Sequence, residues 1–269
     1  MDQQLVPSWR FKQEKLAGYI VGGHEHGVEL AVGADGNPVT GIMCMNVEHY
    51  YAKGCPGGRF VPRYKADVKS ELLGPNKVRV EIAPHANWNV AASVTFDIRP
   101  ERRILVTYDF TFNDDYKDFE AFISNYFVEG AEPYVHLGGK WVQPKLGDRE
   151  HRYWARSARD ASVIQDGRLD EFFKEMKEAF EAPVDPQHYD YPVMVTPTSS
   201  PEWYVIHVME KGMCPSLSAN RTWRAHDFSL IGRDVAKGER VTCRAWMVYT
   251  TMASLDDALN LLANLTVEA

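Results

Sequence analysis

Imidazoles, phenols and carboxylates gather at a few places along this chain, and each place suggests its own chemistry. Val47-Glu48-His49-Tyr50-Tyr51 runs into the turn-rich Ala52-Lys53-Gly54-Cys55-Pro56-Gly57-Gly58, so a strand delivers an acid, an imidazole and phenols to a loop mouth. A histidine titrating near neutrality, or a tyrosine with a lowered pKa, could there move a proton in epimerisation or elimination. Strand alternation places Glu48 and Tyr50 on the face opposite His49 and Tyr51, so the four are not expected to share one pocket. The plainer alternative is an aromatic strand end with solvent-facing polar groups.

Two further segments combine aromatic and polar groups. In Pro84-His85-Ala86-Asn87-Trp88-Asn89 the indole could stack on the apolar face of a sugar, while His85 and Asn87 hydrogen-bond its hydroxyls. In Asn220-Arg221-Thr222-Trp223-Arg224-Ala225-His226-Asp227, alternation sets Arg224 with His226 and Arg221 with Trp223. A guanidinium there could clamp a carboxylate or a developing oxyanion, and Asp227 or Glu202 could orient an imidazole brought near by the fold. Surface ion pairing explains this segment almost as well.

Gly23-His24-Glu25-His26-Gly27 has the spacing at which a strand projects His24 and His26 to one side, where Glu48 or His49 could complete a metal set. The flanking glycines equally describe a hairpin turn. No cofactor is favoured, and a divalent metal is the alternative. The basic run Arg149, His151, Arg152, Arg156 and Arg159, around Tyr153 and Trp154, could collect an anionic substrate; a solvated, salt-bridged loop is the simpler expectation. Gly-x-Gly-x-x-Gly, the P-loop, Gly-x-Ser-x-Gly and His-Glu-x-x-His are absent, which removes the readable signatures of dinucleotide, phosphate, esterase and zincin chemistry.

Strands must position these groups. Period-2 alternation is clear in Val78, Val80 and Ile82, in Val90 to Ile98 and in Ile104 to Phe112, with turns at Gly74-Pro75-Asn76 and Arg99-Pro100-Glu101-Arg102, giving an antiparallel meander. Further strands are expected at 18–21, 28–32, 40–51, 64–72, 120–127, 203–209, 223–231 and 241–250, with Asp35-Gly36-Asn37-Pro38 and Ala236-Lys237-Gly238 as hairpin turns. Two helices are expected. One carries Leu169, Phe172, Phe173, Met176 and Phe180; the other starts at Ser254 with Asp257 three residues on and has Leu255, Ala258, Leu259 and Leu262 on its apolar face. Residues 140–167 and the proline-rich 182–201 read as irregular excursions.

The 269 residues, 45% hydrophobic, suffice for one large core, so residues 1–269 are expected to form a single mainly β domain, an antiparallel sandwich with two peripheral helices. A net charge of -7 offers no general attraction to nucleic acid or anionic lipid. No window resembles a signal peptide or a membrane span, and four scattered cysteines suggest reduced, buried thiols, so a cytoplasmic setting is expected.

Asp109-Phe110-Thr111-Phe112-Asn113-Asp114-Asp115-Tyr116, followed by Phe119 to Phe127 and preceded by Ile82-Ala83-Pro84-His85-Ala86-Asn87-Trp88, resembles uncharacterised bacterial relatives of the galactose mutarotase-like sandwich. The resemblance covers about a fifth of the chain. It implies a β-supersandwich whose concave face receives a carbohydrate. The wider group includes sugar epimerases and domains of polysaccharide lyases and glycoside hydrolases, so it implies a substrate class more than a reaction. The separated Asn/Arg, His, His, Asp and Glu motifs of aldose 1-epimerases are not matched, and no catalytic residue is carried over from them.

The leading expectation is an epimerase, lyase or hydrolase using acid–base chemistry on a mono- or small oligosaccharide, which could be anionic. The candidate catalytic groups are His49, His85, His226, Tyr51 and Tyr126. The candidate substrate-binding groups are Asn87, Trp88, Asn125, Arg221, Trp223 and Arg224. A non-catalytic carbohydrate-binding protein would need the tryptophans but not the histidines. A structural protein would use its aromatics at a protomer interface, and the sequence leaves the oligomeric state open.

Overall fold

The computed structural model describes residues 7–41, 43–55, 59–62, 66–128, 132–166 and 181–265. The expected helix over 169–180 lies outside the described residues. Among them, antiparallel strands form three sheets. Strands β1 (Ser8–Gln13), β2 (Leu16–Val21) and β3 (Gly27–Val32) make a small N-terminal sheet. A six-stranded sheet contains, in spatial order, β13 (His151–Ala155), β16 (Ser216–Asn220), β17 (Ala225–Val235), β10 (Tyr116–Ser124), β4 (Asn46–Lys53) and β5 (Arg59–Phe60). A nine-stranded sheet contains β12 (Lys140–Val142), β11 (Tyr134–Leu137), β14 (Tyr189–Pro197), β15 (Trp203–Met209), β18 (Arg240–Thr251), β9 (Arg103–Phe112), β8 (Val90–Arg99), β7 (Lys77–Ile82) and β6 (Val68–Gly74).

The alternating apolar positions do what their period predicts. Val78, Val80, Ile82, Val94, Phe96, Val106, Tyr108 and Phe110 turn one face of the β6–β9 meander inward, where they meet Val47, Tyr50, Ala121, Ile123, Leu217, Phe228 and Leu230 of the six-stranded sheet. Burying each Val, Ile, Leu or Phe of this layer contributes about 1.5–3 kcal/mol. The layer fixes the six-stranded sheet by one face and leaves the other to carry different chemistry.

Several elements differ from the sequence expectation. The turn at 236–238 joins β17 to β18, which belong to different sheets, whereas after the turn at 35–38 the chain runs back along β3, the Val39 N–H donating to the Leu30 carbonyl and Cys44 bridging Val28, before it enters β4 of the six-stranded sheet. Residues 140–167 hold β12, β13 and helix α1 (Ala158–Ile164), opened by Ser157, whose hydroxyl accepts the Asp160 N–H. The stretch 182–201 holds β14, with Pro192 inside it. Proline removes a ladder donor, and here it sits where the β11–β14 register shifts between the Leu137–Tyr189 and Val135–Met194 pairs. The C-terminal helix α2 (Asp257–Leu265) is as expected. The Asp257 carboxylate accepts the N–H groups of Ala253 and Ser254, and the helix packs on the outer face of β14, β15 and β18. No helix among the described residues is long and apolar enough to cross a membrane.

Candidate active site

One irregularity in β4 builds the site. Phe122 lies opposite His49 but Ile123 lies opposite Val47, so β4 accommodates one extra residue, Glu48, against β10. Such a bulge interrupts strict alternation. Val47 and Tyr50 face the core, while Glu48 joins His49 and Tyr51 on the outer face, which corrects the expected separation of Glu48 from His49. Glu48 Oε1 lies 3.8 Å from His49 Nε2, and the Tyr126 hydroxyl donates to the two Glu48 oxygens at 3.1 and 3.0 Å.

The register carries this face across the sheet. Ser229 stands opposite Phe122, Ser218 opposite Asp227, Tyr153 opposite Ser218 and Glu120 opposite Tyr51. His151 Nε2 lies 3.1 Å from Ser218 Oγ and 3.7 Å from Asp227 Oδ2, its Nδ1 lies 3.3 Å from the Tyr153 hydroxyl, and its ring stacks on Tyr153 at 4.5 Å. The Phe122 ring sits between the two imidazoles, 5.6 Å from His49 and 6.2 Å from His151. Tyr51, Phe122, Tyr153, Ala155 and Ile164 form the apolar wall. Two carboxylate–imidazole units, Glu48–His49 and Asp227–His151, therefore share one buried face.

Their electrostatics differ. Asp227 is 2% exposed, and burial pushes its carboxyl well above the usual carboxylate range; the Asn125 N–H, 2.9 Å from Oδ1, opposes this, and the charge of Glu48 adds to it. Burial holds His151 down to about 3, against the attraction of Glu48 and with the repulsion of His49. Near neutral pH, His151 is thus an uncharged imidazole, while burial shifts Asp227 toward its protonated form.

Of the expected site residues, His49, Tyr51 and Tyr126 meet on this face. The others are placed elsewhere. His226 is buried on the inner face, with Thr196 Oγ1 2.8 Å from Nδ1 and Phe127 against its ring, because the residue after it, Asp227, takes the outer position. His85 caps the β7–β8 connection beside Phe60, and Asn87 is exposed there. Trp88 belongs to the main core, where the Phe60 and Tyr116 rings stack against its indole and Tyr50 packs beside it, so its ring faces are already occupied by protein. The Asn125 amide is consumed by backbone, accepting from Met45 N–H and donating to the His226 carbonyl. Arg221, Trp223 and Arg224 lie in the β16–β17 turn rather than on a strand: Arg221 pairs with Asp148 at 3.6 Å and Arg224 donates to the Val128 carbonyl.

The His-x-His pair splits as well. His24 is exposed in a turn, whereas His26 is buried and its Nε2 accepts the Val47 N–H at 3.2 Å. Among the described residues no group of three or more His, Cys, Asp or Glu side chains is placed to hold a metal ion. The basic run is partly ion-paired: Arg152 with Glu150, Arg156 with Asp160 at 2.9 Å and Arg159 with Asp118 at 2.5 Å. Its histidine, His151, lies on strand β13 rather than in the expected charged loop, and the alternation His151-Tyr153-Ala155 is the sequence signal of that one-sided strand.

No protein-family model and no curated protein sequence matches the chain. Among solved structures, it is similar to a candidate aldose 1-epimerase from Escherichia coli K12, with a TM-score of 0.57 and 8% identity over 92% of this chain and 100% of that one. It is also similar to an aldose epimerase homologue from C. elegans, with a TM-score of 0.51 and 8% identity over the same shares. An α-N-acetylgalactosaminidase from Bifidobacterium bifidum, in complex with GalNAc, gives a TM-score of 0.55 and 14% identity over 96% of this chain but 38% of that one. The chain has the galactose mutarotase-like fold, an antiparallel β-sandwich used by carbohydrate-active proteins.

Proposed function

We propose that this protein is a carbohydrate-active enzyme that interconverts the anomers of a free aldose by moving protons at the anomeric centre. The observation that carries the reading is the pair of carboxylate–imidazole units on one buried face, with carboxyl groups whose environments differ. Carboxyl groups held in different surroundings are what an acid and a base working together require.

Anomer exchange needs a proton delivered to the ring oxygen and another withdrawn from the hydroxyl on C1. The ring C–O bond opens, the aldehyde rotates about C1–C2, and the reverse transfers close the other anomer; no group leaves and no electrons are exchanged. Asp227, whose carboxyl is pushed toward its protonated form by burial, is the acid, and His151 holds its orientation. Glu48, flanked by His49 and the Tyr126 hydroxyl, is the base. Tyr51 and Phe122 form the apolar wall beside it. The epimerase reading is favoured over a hydrolase because the two epimerase-like structures are matched along their whole length, whereas the galactosaminidase extends well beyond this fold.

The test is exchange NMR on neutral aldoses, amino sugars, uronates and sugar phosphates at anomeric equilibrium. Acceleration over the spontaneous rate, reduced about 10²-fold or more in Asp227→Asn, is expected. A protein that binds sugars yet accelerates no anomer exchange would be a binding module or a different enzyme, and the reading would fall.

A further inference from the structure

We infer that Asn46 and Ser124 form a hydroxyl-recognition subsite for an uncharged sugar, beside the acid–base centre; the inference rests on the function proposed above. Asn46 on β4 is the register partner of Ser124 on β10. Met45, Val47 and Ile123 belong to the main core, so alternation turns Asn46 and Ser124 to the opposite face, which carries Glu48. Ile123 pairs with Phe228, and the next step of that register sets Ser124 beside Asp227, which in turn faces Ser218. A polar row, Asn46, Ser124, Asp227 and Ser218, thus crosses the sheet next to Glu48.

Both Asn46 and Ser124 are 0% exposed, and Asn46 Oδ1, Asn46 Nδ2 and Ser124 Oγ have no hydrogen-bond partner. Buried polar atoms are nearly always satisfied, because leaving them unpaired forfeits their hydration with nothing in return. The neighbouring Asn125 shows that a buried amide here can be fully engaged by backbone. Asn46 and Ser124 together offer two N–H donors, an O–H donor and several acceptor lone pairs. Directly opposed strand residues hold their Cβ atoms about 4.5–5.5 Å apart, close enough to grip hydroxyls on one ring. Each sugar hydroxyl is both donor and acceptor, which matches this set, and the row contains no lysine or arginine to favour a phosphate or carboxylate. The ligand class is therefore a neutral aldose whose hydroxyls away from C1 reach this pair.

Ser124→Ala and Asn46→Ala separate this role from a structural one. Anomer exchange is measured for glucose, galactose and mannose and for their monodeoxy analogues, with thermal unfolding of each variant. For the parent sugar, KM is expected to rise about tenfold in each variant with kcat changed only a few-fold. The discrimination of the wild type against one monodeoxy analogue should shrink by the same factor, since the variant no longer contacts the hydroxyl that analogue lacks. Ser124→Ala should unfold no earlier than the wild type, because its hydroxyl bonds to nothing in the fold. An active wild type whose variants keep their KM and their deoxy-sugar discrimination would overturn the subsite alone. A wild type that exchanges no aldose would remove the proposed function and this inference with it.

Discussion

Glu48 shows how much one residue's position decides. Its carboxylate reaches His49 and Tyr126 only because it occupies the bulge, and Glu48→Gln keeps that shape while removing the proton acceptor. Turnover should fall about 10²-fold or more with thermal stability changed little, which exchange rates and unfolding midpoints would check. The buried histidines predict a pH dependence of stability. His151 and His207 are both held down to about 3 by burial, and neither ring nitrogen of His207 has a hydrogen-bond partner. Both are neutral in the fold, but the unfolded chain binds protons below about 6.5. Their contribution is therefore complete above about pH 6.5 and is lost as pH falls toward 3, at about 1.4 kcal/mol per pH unit for each. His207→Leu should reduce the acid slope of denaturant-derived stability by about that amount; an unchanged slope would mean the group charges within the fold. Asp227 has the opposite sign: its raised pKa makes its contribution present at low pH and lost as pH rises through that raised value. Asp227→Asn should accordingly flatten the fall in stability that begins above the ordinary carboxylate range.

At the level of elements, the outer face is held in place by strand irregularities and by a buried ion cluster. Beyond Ser229 in β17, Ile231 and Gly232 both have positive φ, and a Cβ on Gly232 would lie 2.4 Å from Pro215 Cβ. Gly232→Ala combines a disfavoured backbone with a clash and should cost about 2 kcal/mol or more. Gly36→Ala, at φ +84 with nothing within 4 Å, should cost about 1 kcal/mol. Comparing the two unfolding midpoints tests whether the packing against Pro215 matters. Helix α1 is tied to the sandwich by Asp160, 1% exposed, which accepts from Arg156, Arg159 and the Ser157 hydroxyl. Asp160→Ala removes the acceptor shared by two part-exposed guanidinium groups and the Ser157 hydroxyl and should destabilise by about 1–2 kcal/mol. Ile164 of that helix packs with Tyr51 and Phe122, so sugar turnover should fall in the same variant.

For the whole molecule, the site is an assembly of distant segments: β4, β10, β13, β16 and β17 each contribute a side chain to one face. The four cysteines report on its integrity. Cys44, Cys214 and Cys243 are buried with thiols pushed up by desolvation, to about 12 for Cys44 and Cys214, whereas Cys55 is half-buried. A thiol reagent at pH 8 should modify Cys55 first in the native protein and all four in denaturant. Fast reaction of more than one thiol in the native state would contradict this packing.

The sequence alone determined the β character, the β6–β9 meander and the inward face of each of its strands, because a period of two is a local property that any strand displays. It also read the C-terminal helix, and it singled out His49, Tyr51 and Tyr126, which the fold brings to one face. It could not read β14, whose Pro192 looks like a strand breaker until the bulge that accommodates it is visible, nor β13, whose arginines mask an alternating strand. The site itself was decided by tertiary structure. Whether Glu48 joins His49 depends on a one-residue register shift against β10, and whether His226 or Asp227 faces the chemistry depends on which face of β17 the core claims. Those choices are made by pairing between segments tens to hundreds of residues apart, where the burial of one strand face fixes what the other face can present.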